Sequence, residues 1–476
     1  MSEDNSKTQV AIIGAGPGGY PAAFLAADLG LQVTMIDPEE NPGGVCLYRG
    51  CIPSKALLHT AKVISEAAHF KNLGVTFGEP DIDLDKLRDW KNNVVQKLVG
   101  GLGQLSGQRK VTYIRGRATF LDSHTLEIKN ADGHTTELEF QYAVIATGSR
   151  PAEISGFPND STNLLNSTSA LDLPDIPKKM LVVGGGYIGL ELGTVYAALG
   201  TKVSVVEMTS GLMQGADRDL VRVLQKNSEA MFESIMLDTK VVEMKENSKG
   251  ITVTFEGKDS GKTKETYDKV LVSVGRKPNS ENLGLENTGV KVTGKGFIEI
   301  DEQRRTSDRH IFAIGDVAGE PMLAHKATHE GRTVAEVIAG RNVAFEPSAI
   351  PAVVFTDPEI AWCGLTETEA KEKGIDFKIA RFPWGASGRA TTLDRNDGVT
   401  KLVIDPHSDR VLGMGIVGTG AGELIAEGVL AIEMGALASD LELAIHAHPT
   451  LSETVMESAE VYYGLSTHMY KPKRDR

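Results

Sequence analysis

Cysteine is scarce. Cys46, Cys51 and Cys363 are the only three in 476 residues. That excludes a disulfide-stapled secreted scaffold and fits a reducing compartment, where a close pair serves catalysis, redox sensing or metal binding. Long apolar runs are also missing. None approaches the ~18 residues of a spanning helix, which excludes a helical membrane protein. Met1 to Gln9 hold two acids and one lysine with no apolar stretch. Neither a signal nor a transit peptide is therefore expected, and the expected location is the bacterial cytoplasm. Positive charge is in deficit, with 50 Lys and Arg against 64 Asp and Glu, a formal net charge of −14. This argues against nucleic acid or an anionic membrane as the main partner. What is present is ordinary for a globular chain, 41% hydrophobic and 24% charged. The length suits about three domains of ~150 residues.

One device occurs twice. Gln9 to Ile13 read as a buried strand running into Gly14-Ala15-Gly16-Pro17-Gly18-Gly19, followed by helical Ala22 to Leu29 and a second strand, Leu31 to Ile36, closed by Asp37. Lys179 to Val183 read the same way, then Gly184-Gly185-Gly186-Tyr187-Ile188-Gly189, helical Leu190 to Leu199, and strand Lys202 to Val206 closed by Glu207. The acid lies 23 residues after the first glycine in both copies, 14 to 37 and 184 to 207. Glycines at this spacing permit a tight turn and let backbone N–H groups approach a pyrophosphate at a helix N-terminus, while the acid accepts from ribose hydroxyls. A single G-x-G-x-x-G also serves plain strand-to-helix turns; two complete units point to two bound dinucleotides. Glu207 would repel a 2′-phosphate and no arginine follows it in Met208 to Leu212, so NAD is expected over NADP at the second site. Pro21 falls early in its helix, where a missing N–H is tolerated.

The cysteine pair sits in Gly43-Gly44-Val45-Cys46-Leu47-Tyr48-Arg49-Gly50-Cys51-Ile52-Pro53-Ser54-Lys55. In a regular helix, residues five apart stand beyond the ~7 Å Cα limit for a disulfide, so Gly50 and Pro53 are read as a distorted loop opening into a helix. Two inert thiols are one reading. A zinc site recruiting His446 and His448 is another, but H-x-H lacks the usual ligand spacing and no second cysteine pair exists. A redox-active disulfide beside a dinucleotide-binding turn also accounts for the glycines and the proline, and a helix N-terminus there would favour thiolate. Near the C-terminus, Ile445-His446-Ala447-His448-Pro449-Thr450-Leu451-Ser452-Glu453 places an acid five residues beyond a proline-fixed histidine. Isolated histidines are usually packed or surface residues, but such an acid can hold one imidazole nitrogen while the other handles protons.

Taken in order along the chain, these segments resemble the pyridine nucleotide–disulfide oxidoreductases, in particular the members that oxidise dihydrolipoyl groups. The resemblance covers nearly the whole chain. It adds Ala146-Thr147-Gly148, Val274-Gly275-Arg276-Lys277-Pro278-Asn279, Phe312-Ala313-Ile314-Gly315-Asp316 and Met322-Leu323-Ala324-His325-Lys326-Ala327. It implies FAD at Gly14, Gly16, Gly19, Asp37, Gly44, Lys55, Ala118, Thr147, Gly148, Asp316, Leu323 and Ala324. It implies NAD at Gly184, Gly186, Gly189, Glu207 and Gly275. Cys46 and Cys51 become the redox disulfide, with Cys51 nearer the flavin, and Lys55 pairs with Glu191 beside the flavin's reactive nitrogen. His448 is selected over His446 as the base, oriented by Glu453 and reaching the disulfide of the other subunit of a homodimer. No metal is expected. The departures are Tyr48 and Arg49, where the family commonly has Asn-Val, and Asp37 in place of glutamate. Arg49 either lowers a neighbouring thiol pKa or points to solvent.

The expected fold class is α/β: two Rossmann-like dinucleotide-binding domains plus an α+β C-terminal dimerisation domain. Residues 1–150 and 279–349 are expected to bind FAD, 151–278 NAD, and 350–476 to form the interface. Phe255 to Thr266 read as a hairpin loop, Lys471 to Arg476 as a frayed basic tail, and Cys363 as buried. The implied reaction is oxidation of protein-bound dihydrolipoamide, with hydride passed to NAD. Implied partners are lipoyl domains and a basic subunit-binding domain of a 2-oxoacid dehydrogenase complex, or the glycine cleavage H protein. The alternatives are a glutathione- or mercuric-reductase-like enzyme and a non-catalytic flavin redox sensor. The first opposes Glu207, and the mercuric type needs a reactive pair near the C-terminus, where the last cysteine is Cys363.

Overall fold

A computed structural model describes residues 6–130, 132–258 and 261–470. The basic tail 471–476 and the first residues of the chain lie outside them. Strand Lys7–Ile13 pairs in parallel with Val33–Asp37 on one side and Thr135–Ile145 on the other, and Ile311–Ala313 extends the sheet beyond. Thr112–Asp122 pairs in parallel with Val33–Asp37 and then turns back antiparallel through Thr125–Asn130 into Thr135–Ile145. Val10, Ala11 and Ile12 are almost wholly buried, as a run without polar alternation requires of a strand covered on both faces.

A second parallel sheet runs Ser234–Met236, Lys202–Val206, Lys179–Val183, Lys269–Val272 and Leu164–Leu165. Beside it Thr239–Asn247, Gly250–Gly257 and Gly261–Tyr267 form an antiparallel sheet. The segment expected as a loop from Phe255 is thus mostly strand: Phe255 is buried, and Thr263 and Lys264 stand opposite Phe255 and Thr254. Residues 261–266 are all exposed, so no apolar alternation marks the strand and only its pairing with Gly250–Gly257 does. A short ribbon, Ser149–Pro151 against Arg276–Pro278, ties together the two points where the chain passes between the sheets.

The last sheet is antiparallel: Ala352–Val354, Ile360–Gly364, Val411–Val417, Val399–Ile404 and Lys378–Pro383. Helices Ala421–Glu433 and Glu453–Tyr463 accompany it. Trp384 is fully buried there and its indole N–H donates to Thr400 Oγ1 at 3.0 Å. Among the described residues no helix is long and apolar enough to cross a membrane.

Candidate active site

The two glycine loops agree down to single hydrogen bonds. The Ala15 amide donates to Asp37 Oδ2 at 2.7 Å, and the Gly185 amide donates to Glu207 Oε2 at 2.8 Å. The other carboxylate oxygen accepts from Glu39 N at 2.9 Å in the first copy and from Thr209 N at 2.9 Å in the second. Burial pushes the Asp37 carboxyl up, against the pull of the Ala15 amide and nearby arginines. Each acid still has lone pairs for ribose hydroxyls.

The glycines divide their work. Gly14 and Gly184 have φ of +100° and +107°, the left-handed region that favours glycine. A Cβ on Gly19 would collide with Gly14 O, and one on Gly189 with Gly184 O, so the third glycine of each loop allows helix to pack on strand. The middle glycines differ. A Cβ on Gly16 would meet only the Gly44 Cα, at 3.9 Å, and one on Gly186 would meet nothing within 4 Å. Open space over the middle glycine, next to unpaired helix N–H groups, is the cradle a pyrophosphate needs. FAD and NAD therefore fit the residues present.

Gly43 and Gly44 lie against the first loop. The Gly43 amide donates to Ala15 O at 2.8 Å, and a Cβ on Gly44 would stand 2.5 Å from Gly16 Cα. The segment expected as a loop is instead a short helix, Gly44–Arg49, broken at Gly50 and followed by the long helix Cys51–His69. A Cβ on Gly50 would lie 2.8 Å from Val45 O, so only glycine allows this sharp break. The break replaces the regular helical spacing of the cysteines and places Cys51 at the first position of its helix.

Both thiols are free. The Cys46 thiol donates to Cys51, which holds Cys51 down to about 7; burial opposes this shift and the Lys55 charge adds to it. Cys46 is pushed up by the same bond and by burial. Lys55 lies one helical turn beyond Cys51, and its Nζ donates to Glu191 Oε2 at 2.8 Å. Glu191 is buried, and its Oε1 accepts the Phe355 amide at 2.9 Å, while Lys55 Nζ stands 4.5 Å from the centre of the Phe355 ring. Arg49 takes neither expected course, because it pairs with Glu39. Tyr48 Oη donates to Asn41 O at 3.1 Å and accepts the Asn41 amide at 3.2 Å, which braces the same turn.

The histidines separate clearly. His446 has both ring nitrogens engaged, Nε2 with Glu427 Oε1 and Nδ1 with Ala444 O, each at 2.8 Å. His448 is exposed, and its Nδ1 lies 2.8 Å from Glu453 Oε1, so this nitrogen carries the proton toward a carboxylate that only accepts. Nε2 is left for proton transfer. Burial alone would raise Glu453; the Thr450 amide at 2.8 Å and His448 outweigh it and hold the carboxyl below its usual value.

The remaining motifs are joined to one another. Thr147 Oγ1 donates to Asn279 O at 2.7 Å, Asn279 Nδ2 donates to Thr147 O at 2.9 Å, and the Asn279 amide donates to Gly148 O at 2.9 Å. Asp316 accepts the Ser149 hydroxyl, and Arg276 Nε donates to that same hydroxyl oxygen at 2.7 Å. Ser149, Arg276 and Phe355 were not singled out from sequence. Arg276 and Ser149 stand inside or beside quoted motifs, whereas Phe355 carries only a strand signal, Ala352 to Phe355, and none for a site. Gly275 has φ +122°, Ala118 is buried in its strand, and Leu323 caps the helix that begins at Ala324. Cys363 is buried, which pushes its thiol up to about 12. Among the described residues, the one close group of three acids, Asp217, Asp219 and Glu367, surrounds Lys401 Nζ at 2.6, 2.7 and 3.6 Å.

Residues 8–331 match the pyridine nucleotide-disulphide oxidoreductase family, and residues 350–459 match the dimerisation domain of the same family. The dihydrolipoyl dehydrogenase of Haemophilus influenzae is 50% identical over 467 residues, covering 98% of this chain and 97% of that protein. The proteins of the same name from Vibrio cholerae and Geobacillus stearothermophilus are 49% and 45% identical, covering 98% and 97% of this chain and 98% of each protein. Among solved structures, LpdA of Mycobacterium tuberculosis superposes with a TM-score of 0.87 at 26% identity, covering 95% of this chain and 99% of that one. The flavoprotein disulfide reductase RclA of Escherichia coli gives 0.85 at 26% identity, covering 96% and 99%.

Proposed function

Because the chain belongs to the pyridine nucleotide-disulphide oxidoreductase family, we propose that it is a dihydrolipoyl dehydrogenase that oxidises protein-bound dihydrolipoamide and reduces NAD. The observation that carries this reading is the Cys46–Cys51 pair, whose segment docks on the first glycine loop through Gly43, with Lys55 one helical turn away and paired to the buried Glu191. We assign 1–150 and 279–349 to FAD, 151–278 to NAD and 350–476 to the dimer interface.

In the oxidised enzyme Cys46 and Cys51 share a disulfide. His448 Nε2, with Nδ1 held by Glu453, takes a proton from one substrate thiol. The resulting thiolate attacks Cys46 Sγ; the S–S bond breaks and Cys51 leaves as thiolate. The second substrate sulfur then displaces Cys46, which leaves with that thiol's proton; the oxidised ring closes, and the enzyme holds a Cys46 thiol, a Cys51 thiolate and the first proton on His448. Lys55 and the start of the redox helix favour the anionic form of Cys51. FAD supplies the two-electron step between thiol and hydride chemistry, with NAD as final acceptor. Glu207, whose carboxylate closes the second glycine loop by accepting the Gly185 and Thr209 amides, would repel the 2′-phosphate of NADP.

The dimerisation domain supports a homodimer, with His448 serving the partner's disulfide. The partners are lipoyl domains of a 2-oxoacid dehydrogenase complex or the glycine cleavage H protein, and the charge of −14 suits the basic subunit-binding domain of such a complex. The low cysteine count fits a bacterial cytoplasmic location. The test is NADH formation from dihydrolipoamide by the purified yellow protein, expected with NAD far above NADP. A colourless protein, or turnover restricted to glutathione disulfide with NADPH, would overturn the reading.

A further inference from the structure

Helix Ala324–Ile338 carries a buried charge cluster that the reaction above does not use. Glu330 is 0% exposed. Its Oε1 lies 3.1 Å from Lys326 Nζ and 3.2 Å from Arg304 Nη1, and its Oε2 accepts the Gly315 amide at 2.7 Å. Lys326, also buried, donates to Gly319 O at 3.0 Å. A buried ion pair is weak evidence for stability, because desolvation offsets much of its attraction. Its role is better sought in what it holds. Gly315 sits at φ +74°, immediately before Asp316, whose carboxylate accepts the Ser149 hydroxyl. The same helical turn grips the first glycine loop. Thr328 Oγ1 donates to Pro17 O at 2.8 Å, and a Cβ on Gly331 would collide with Gly18 O. Residues 328–331 thus touch both turns assigned to the flavin, 14–19 and 315–316.

We propose that Glu330 is a positioning residue for FAD: by holding the Gly315 peptide, it presents the Asp316 carboxylate to the cofactor in register with the first glycine loop. The inference rests on the FAD reading above. It predicts that Glu330 acts through Asp316. The test measures FAD release from the holoenzyme, followed as flavin fluorescence after dilution, for Glu330→Gln, Asp316→Asn and the double variant. Glu330→Gln keeps an acceptor for Gly315 but loses the charge, and is expected to release FAD about tenfold faster. The double variant is expected to release it no faster than Asp316→Asn alone. A merely structural role would make the two effects add, and would overturn the inference. So would release from Glu330→Gln within about twofold of wild type, since a charged acceptor outweighs a neutral one by more than that. Should Glu330→Gln fail to fold, Lys326→Met in the same cycle with Asp316→Asn decides by the same criterion. A wild-type protein without flavin overturns the FAD reading and this inference together; additive variants of a yellow protein overturn this inference alone.

Discussion

At the scale of single residues, the two sulfurs have different chemistry because different groups surround them. Cys51 accepts the Cys46 thiol and stands one turn from Lys55, so its thiolate is favoured; Cys46 donates and is half-buried, so it stays protonated. A depressed pKa means that the thiolate is present above the shifted value and lost as pH falls through it. In the reduced enzyme, iodoacetamide labelling of Cys51, followed by peptide mass spectrometry, should rise through a midpoint near pH 7. Lys55→Met should move that midpoint upward. An unmoved midpoint would remove Lys55 from the account. Histidine selection is also decided at this scale. Sequence order alone could not choose between His446 and His448, since each has a carboxylate partner, at Glu427 and Glu453. Only the structure shows that His446 is fully engaged and His448 exposed.

At the scale of elements, the repeated strand–loop–helix unit was legible because its glycines and closing acids are local in sequence. Strand Lys179–Val183 coincides with the reading, while helix starts lie earlier than apolar spacing implied, at Gly19 and Tyr187. Glycine loops enter their helices directly, so the first turn carries no apolar signal. The break at Gly50 was read as a loop because a helix of six residues is too short to show periodicity. Phe255 to Thr266 read as a hairpin loop for a different reason, in that the strand identity of Gly261–Tyr267 depends on its partner strand. Within the second loop, the division of labour among glycines yields a contrast. Gly186→Ala places a methyl group in open space and should leave the melting temperature unchanged while raising the NAD KM by about tenfold, through loss of close pyrophosphate approach. Gly189→Ala should instead destabilise the fold by about 1–3 kcal/mol, because its methyl group meets Gly184 O. Steady-state kinetics and thermal unfolding of both variants check this. Equal effects on both quantities would contradict it.

At the scale of the whole molecule, contacts distant in sequence join the parts. Lys55 meets Glu191 across 136 residues, and Thr147 meets Asn279 across 132. The first was reachable from sequence through family resemblance and not through spacing; the second joins two separately quoted motifs, and nothing local records it. Ser149 and Glu330 carry no local signal for the same reason, and the role of Arg276, inside a quoted motif, rests on its distant contact with Ser149. Exposed Leu430, Met434, Leu443 and Ile445 form apolar surface on the domain that carries His448, in keeping with the dimerisation-domain match. All of these features serve one claim, that Cys46 and Cys51 store an electron pair in exchange with bound FAD. Anaerobic titration of the holoenzyme with dithionite measures it directly. The account predicts uptake of two electron pairs per FAD, one by the flavin and one by the disulfide, and uptake of only the flavin's own pair would contradict it.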